Sequence, residues 1–285
     1  MPMLQTRIIT ALVLLAVLLP ALFAPQSLPF ALITLLMIGA AGWEWARLNG
    51  LSGAPAVSFG LAVSAGAWTT YLALGMQAAP AWAWWLVSLV WVLGSAYALR
   101  GGPSQWPQAP KLLRMALGAL VLIAAWGAMV QAKAIGINFL LSIFCLVWMA
   151  DIAAYFGGRT FGKRKLAPTI SPGKSWEGVW SGMLGVMLLA FVWAFYIDTH
   201  LAVDSPSLYQ LLLKGQSLPL GLLALLLLSA MSVVGDLFES LLKRAVGAKD
   251  SSQLLPGHGG VLDRIDALLP VFPVALAVSS LSMLA

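Results

Sequence analysis

The chain has 285 residues, of which 61% are hydrophobic and only 9% charged, with a formal net charge of +6. A soluble domain carries about 25% charged residues, so a single water-surrounded core is excluded and lipid must be part of the solvent. The one cysteine, Cys145, lies in an apolar run, which rules out an internal disulfide and a cysteine metal cluster.

Taken in chain order, the apolar stretches of spanning length, about 20 residues each, are 8–23, 29–45, 56–76, 79–99, 112–131, 135–156, 178–197, 218–240 and 268–284. None alternates as a barrel strand would. The expected fold is therefore all-α, a polytopic membrane protein of about nine helices. It divides into N-terminal helices over 1–131 and a C-terminal part over 132–285 that carries the polar loops. Arg7 and the run behind it resemble the start of an export signal, but no small-x-small cleavage site follows, so a retained first helix is expected. With the N-terminus in the cytoplasm, alternation puts all of the 16 Lys and Arg except Lys133 and Lys214 on the inner side. That asymmetry is what the positive-inside rule requires of an N-in, C-out arrangement. The net positive charge follows from the same excess, or from a basic face for anionic headgroups or substrates.

Seven of the ten acidic residues gather near the inner ends of the last four spans: Asp151, Glu177, Asp236, Glu239, Asp250, Asp263 and Asp266. Carboxylates at membrane depth are costly and mark function. At the end of the eighth span Asp236, Glu239, Ser240 and Lys243 are spaced i, i+3, i+4, i+7 and share one helical face. Alone, this pattern is equally that of a helix end whose carboxylates pair with Lys243 or Arg244. The next segment, Lys249-Asp250 to Asp263-Arg264-Ile265-Asp266, contains Gly257-His258-Gly259-Gly260, a flexible backbone that can approach a phosphate. Asp263 and Asp266, at i and i+3, then open the last span. Oxygen-only donors suit magnesium rather than zinc. Carboxylate-bearing helix ends interleaved with Lys243, Arg244, Lys249 and Arg264 point to a cation-bound polyphosphate.

The other polar loop repeats the theme. Asp151 and Tyr155 end the sixth span, followed by Arg159, the cluster Lys163-Arg164-Lys165, and Ser171-Pro172-Gly173-Lys174-Ser175-Trp176-Glu177-Gly178. Gly173-Lys174-Ser175 is not a Walker loop, because position 168 is proline and no strand is expected before it. His258 is expected to touch substrate; His200 belongs to the outer loop.

These motifs resemble those of the phosphatidate cytidylyltransferase family. The resemblance rests on Ser240-Leu-Leu-Lys243-Arg244, Lys249-Asp250, Pro256-Gly-His258-Gly259-Gly260 and Asp263-Arg264-Ile-Asp266. Upstream it adds Asp151-Ile-Ala-Ala-Tyr155-Phe-Gly-Gly-Arg159 and Ser171 to Gly178, with Ser175 where threonine is more usual. It covers the C-terminal half; the N-terminal half matches as hydrophobic helices with Trp43-Glu44-Trp45. It implies transfer of a cytidylyl group from CTP to phosphatidate with loss of pyrophosphate, magnesium with a second cation such as K+, a bacterial inner-membrane homodimer with its site facing the cytoplasm, and no nucleic-acid partner. On this reading Asp236 and Asp263 are the principal metal ligands, supported by Asp266 and Glu239. Asp151 is either a further ligand or the partner of a basic residue. Lys243, Arg244, Lys249 and Arg264 bind phosphates, and Lys243 and Arg264 act with the two aspartates in catalysis. Ser171, Lys174, Ser175, Ser240, His258, Gly259 and Gly260 contact CTP or the lipid headgroup. Two rivals are another nucleotide-dependent lipid phosphotransferase and an ion-coupled transporter. The transporter would favour midplane carboxylates and internal repeats, neither of which the sequence shows.

Overall fold

The computed structural model describes residues 3–74 and 79–282. The ends expected for the third and ninth spans, Met76 and Leu284, lie outside them. Long apolar runs satisfy every backbone group internally as helices, the arrangement lipid demands. They give α1 (Met3–Phe23), α2 (Ser27–Leu48), α3 (Gly53–Leu74), α4 (Ala81–Gly101), α5 (Lys111–Ile135) and α6 (Ile137–Phe161). A hairpin of β1 (Lys165–Ala167) and β2 (Ser171–Ser175) leads into α7 (Trp176–Val192), which continues through a π turn into α8 (Asp198–His200). Then come α9 (Leu208–Lys214), α10 (Leu218–Ala245), the single turn α11 (Leu262–Ile265) and α12 (Leu268–Ser280). The chain is an all-α polytopic membrane protein, and among the described residues eight helices are long and apolar enough to cross a bilayer.

Two elements differ in detail from the sequence reading. The expected ninth span appears as α12, 13 residues long, with every residue from Leu268 to Ser279 buried in protein. The backbone stays in the α region through Asp266 and Ala267, between α11 and α12, and at Leu281. Gln216 Nε2 donates to the Val278 carbonyl and Ser282 Oγ to the Leu211 carbonyl, so α11 and α12 together run from the polar end of the bundle to the opposite one. A helix apolar on all sides and enclosed by others is a core helix or a central membrane span. The second departure is the antiparallel hairpin, in which Lys165 pairs with Ser175 and Ala167 with Ser171. Gly173-Lys174-Ser175 is therefore strand rather than a phosphate-wrapping loop.

One end of the bundle collects the polar chain segments. Arg7 Nε and Thr10 Oγ1 on α1 donate to the carbonyls of Gly257 (3.0 Å) and Pro256 (2.9 Å). Arg114 Nη1 at the start of α5 donates to Asn49 Oδ1 at the end of α2, 3.1 Å away. The hairpin and the C-terminal ends of α6 and α10 meet at the same end.

At the opposite end Asp204, in the loop before α9, accepts the first free N–H groups of α6, from Ile137 (2.6 Å) and Asn138 (2.9 Å). Burial opposes its charge, but those N–H groups outweigh it and hold the carboxyl below its ordinary 3.8. A carboxyl lowered in the folded state stabilises fully above its unfolded pKa and ceases to do so as pH falls through the folded one. Asp204→Asn is therefore expected to cost about 1 kcal/mol at pH 7, the usual worth of a lost helix cap. The difference from the parent should shrink below pH 4 in thermal melts in detergent.

Candidate active site

The site is assembled where α6, β2, α7 and α10 converge. A cavity of about 500 Å³ is lined by Asp151, Tyr155 and Arg159 of α6, Ser171 and Lys174 of β2, Ser175, and Asp236 of α10. Two motifs far apart in sequence thus share one wall. Glu177 anchors the hairpin: its carboxylate accepts from the backbone N–H of Lys163 (3.0 Å) and Arg164 (3.1 Å), and from the Arg164 guanidinium (3.3 Å). Ser175 Oγ caps α7 by accepting from Gly178 N at 3.2 Å, the favoured use of serine at a helix start. With both ends of the hairpin fixed, Lys174 reaches across the cavity to Asp236, Nζ to Oδ2, at 2.5 Å. Ser240 Oγ donates to the other oxygen of Asp236 at 3.3 Å.

A second cluster lies one helical turn along α10. Lys243 is paired with Glu239 and, at 2.6 Å, with Asp263 Oδ1. The other Asp263 oxygen accepts from Ser251 N (2.9 Å), Ser251 Oγ (2.8 Å) and Gly260 N (2.8 Å). Burial works against this charge, yet the Lys243 ammonium and the two backbone N–H groups pull the Asp263 carboxyl down to about 2. Asp266 lies within electrostatic range of Asp236, and burial together with that neighbouring negative charge pushes its carboxyl up. Asp236 also acts on Asp151 through space, so three carboxylates share this region with Lys174 as a common counter-charge.

The remaining sequence candidates sit elsewhere. Arg244 is used structurally, donating to the carbonyls of Ile170 (3.4 Å) and Ala248 (2.8 Å), which ties the hairpin to the end of α10. Lys249 and Asp250 are exposed beside it. Gly259 has φ +81°, a conformation glycine adopts without strain, and its carbonyl accepts from Leu255 N at 2.8 Å. His258 and Arg264 do not line the polar cavity; they line a second, apolar one.

One participant escaped the sequence reading. Glu44, at the end of α2, is fully buried. Its Oε1 accepts from Ser252 Oγ (2.5 Å) and Val261 N (2.9 Å), and its Oε2 from Ser251 Oγ (3.1 Å) and Leu262 N (2.6 Å). The N–H groups of Val261 and Leu262 are those left free at the start of α11, where a carboxylate is favoured. Gly260 must be glycine for this arrangement, because a Cβ there would collide with the Glu44 carboxylate and Ser251 Oγ. The available signal was a lone carboxylate inside an apolar helix end.

Residues 5–282 match the cytidylyltransferase family. A Pseudomonas aeruginosa protein named phosphatidate cytidylyltransferase is 39% identical over 96% of this chain and 96% of its own length. The protein of that name from Haemophilus influenzae is 36% identical over 95% and 96%. A Brucella suis protein of the same name is 43% identical over 47% of this chain and 44% of its own.

Proposed function

We propose that this chain, which belongs to the cytidylyltransferase family, transfers the cytidylyl group of CTP to phosphatidate, giving CDP-diacylglycerol and pyrophosphate for phospholipid synthesis. The observation that carries this reading is the cavity that joins Asp151, Ser171 and Lys174 to Asp236 at one end of a membrane bundle. A triphosphate needs cations and donors, and a membrane-bound acceptor needs them at bilayer depth. A phosphate oxygen of phosphatidate attacks the α-phosphorus of CTP, and pyrophosphate leaves. The nucleophile is already an anion, so the obstacle is charge repulsion rather than proton removal, and fixed positive groups are the main remedy. Lys174 exchanges Asp236 for a CTP phosphate, Arg159 adds a second positive group, and Ser171 donates from the hairpin. Until a cation binds, Lys243 pairs with Asp263 and Glu239 and so holds the turn leading to Asp266 in shape.

The wall fits magnesium. Among the described residues no three acidic, histidine or cysteine side chains form a ready-made metal cage. Magnesium does not ask for one, since it binds through one or two carboxylates plus substrate phosphates and retains waters. Asp236 and Asp151 are oxygen donors on the cavity wall and would hold it, with Asp266 behind them. Asp263 would join by releasing Lys243, and a second, monovalent cation such as K+ belongs at the same cluster. Bound there, magnesium would neutralise charge on the triphosphate. The gathering of basic residues at this end supports a cytoplasmic site in a bacterial inner membrane. The homodimer implied by family likeness is checked by light scattering of the detergent-solubilised protein.

The deciding experiment incubates purified protein with CTP labelled at the α-phosphate and with phosphatidate. Label is expected in the organic phase only when phosphatidate is present. A chelator should abolish the transfer and added magnesium restore it. Transfer to diacylglycerol or another acceptor in place of phosphatidate would instead favour a different lipid nucleotidyl- or phosphotransferase.

A further inference from the structure

Asp263 turns to Lys243, whereas its sequence neighbour Arg264 lines a second cavity of about 410 Å³ between α1, α2, α5 and α6. On α1 the wall is Ala11, Leu14, Leu15 and Leu18, spaced i, i+3, i+4, i+7 on one face. On α2 it runs from Phe30 to Ile38. At 1.5 Å per residue these stretches are about 10 and 12 Å long, close to the ~15 Å of one hydrocarbon leaflet, half of the ~30 Å layer. The deep end is apolar, and the end where α1 meets Pro256 and Gly257 carries Arg264 and His258. The Arg264 guanidinium makes no salt bridge among the described residues. His258 Nδ1 is buried with no hydrogen-bond partner among the described residues.

An apolar slot about 10–12 Å deep, closed at its headgroup end by a guanidinium and an imidazole nitrogen that have no partner among the described residues, is complementary to an anionic amphiphile. We propose that the slot takes one acyl chain of phosphatidate, with Arg264 and His258 meeting its phosphate. This rests on phosphatidate being the acceptor. A terminal phosphate presents two oxygens to the guanidinium fork in parallel, which the bridging phosphate of a diester lipid does less freely. The polar cavity then holds the triphosphate and the apolar slot the lipid tail, with the segment from His258 to Asp266 reaching towards both.

Two measurements test this. Leu14→Trp and Met37→Trp fill the slot without touching the polar cavity. Each is expected to raise KM for a dipalmitoyl phosphatidate by about tenfold, leaving KM for CTP and turnover of a dihexanoyl phosphatidate within about twofold of the parent. Equal effects on long and short chains, or none on either, would overturn the proposal. In the second, a phosphatidate with a photoactivatable group near the end of one acyl chain is crosslinked to the unaltered protein. Label is expected on α1 and α2, displaced by unlabelled phosphatidate and not by phosphatidylglycerol. Label elsewhere, or equal displacement by both lipids, refutes the slot. This arm needs no turnover, so it judges the slot even if no CDP-lipid formed, an outcome that would count against the proposed reaction alone.

Discussion

Glu44→Ala is expected to lower the unfolding temperature by at least about 6 °C and to remove most activity, although Glu44 lines neither cavity. The carboxylate accepts hydrogen bonds from Ser252 Oγ and from the Val261 and Leu262 N–H groups, and shares the Ser251 hydroxyl with Asp263, all in a segment more than 200 residues away. Alanine strands the N–H groups of Val261 and Leu262 in a water-free setting, at about 1–3 kcal/mol for each buried unsatisfied group. Ser251 keeps Asp263 as a partner, so its hydroxyl is not orphaned. The void left by the side chain adds a further cost. A total of about 3–5 kcal/mol follows, and for a protein this large each kcal/mol moves Tm by roughly 2–4 °C. Activity falls as well, because the clamp fixes the start of α11 and hence Asp263 and Asp266. Glu44→Gln keeps the volume and one acceptor but turns an amide N–H2 towards two of the donors, so it should fall between parent and alanine. A melt of Glu44→Ala within 2 °C of the parent would show that the clamp contributes little.

The difference between what was legible in the sequence and what was not follows from the range of the interactions. Composition alone dictates a lipid-embedded helical protein, and the i, i+3, i+4, i+7 spacing of Asp236, Glu239, Ser240 and Lys243 correctly places them on one face, because both signals are local. The fixed motifs from Ser240 to Asp266 give the family, which the matches across the chain bear out. Three features were hidden. A carboxylate on α2 that completes the loop before α11 leaves no periodic trace, since its partners lie on the far side of the chain. The hairpin is too short, and Pro172 and Gly173 too disruptive, for the strand to show alternation. An apolar helix facing protein and one facing lipid use the same residues, so nothing in the hydropathy of α12 shows that the bundle encloses it. Hydropathy reports the absence of water, not which neighbour replaces it.

Asp236→Asn is the sharpest test of the chemistry, because Asp236 does little for the fold. Its carboxylate touches Lys174 and Ser240 and no backbone donor among the described residues, and both it and Lys174 remain about a quarter to a third exposed. A part-exposed ion pair adds at most about 1 kcal/mol to stability, so the melt should move by no more than a few degrees. Catalysis is a different matter. Asparagine keeps the size but removes a full negative charge at the point where α10 faces the hairpin, the charge that orients Lys174 and that a divalent cation would require. Losing one preorganised electrostatic group typically costs about 100- to 1,000-fold in kcat, and kcat/KM for CTP should fall by at least that much. Asp263→Asn is expected to be as inactive but less stable, since it also releases Ser251, Gly260 and Lys243. The contrast separates the roles: an Asp236→Asn protein that melts early would make Asp236 a structural partner of Lys174. One that melts normally and retains activity would remove it from the catalytic wall.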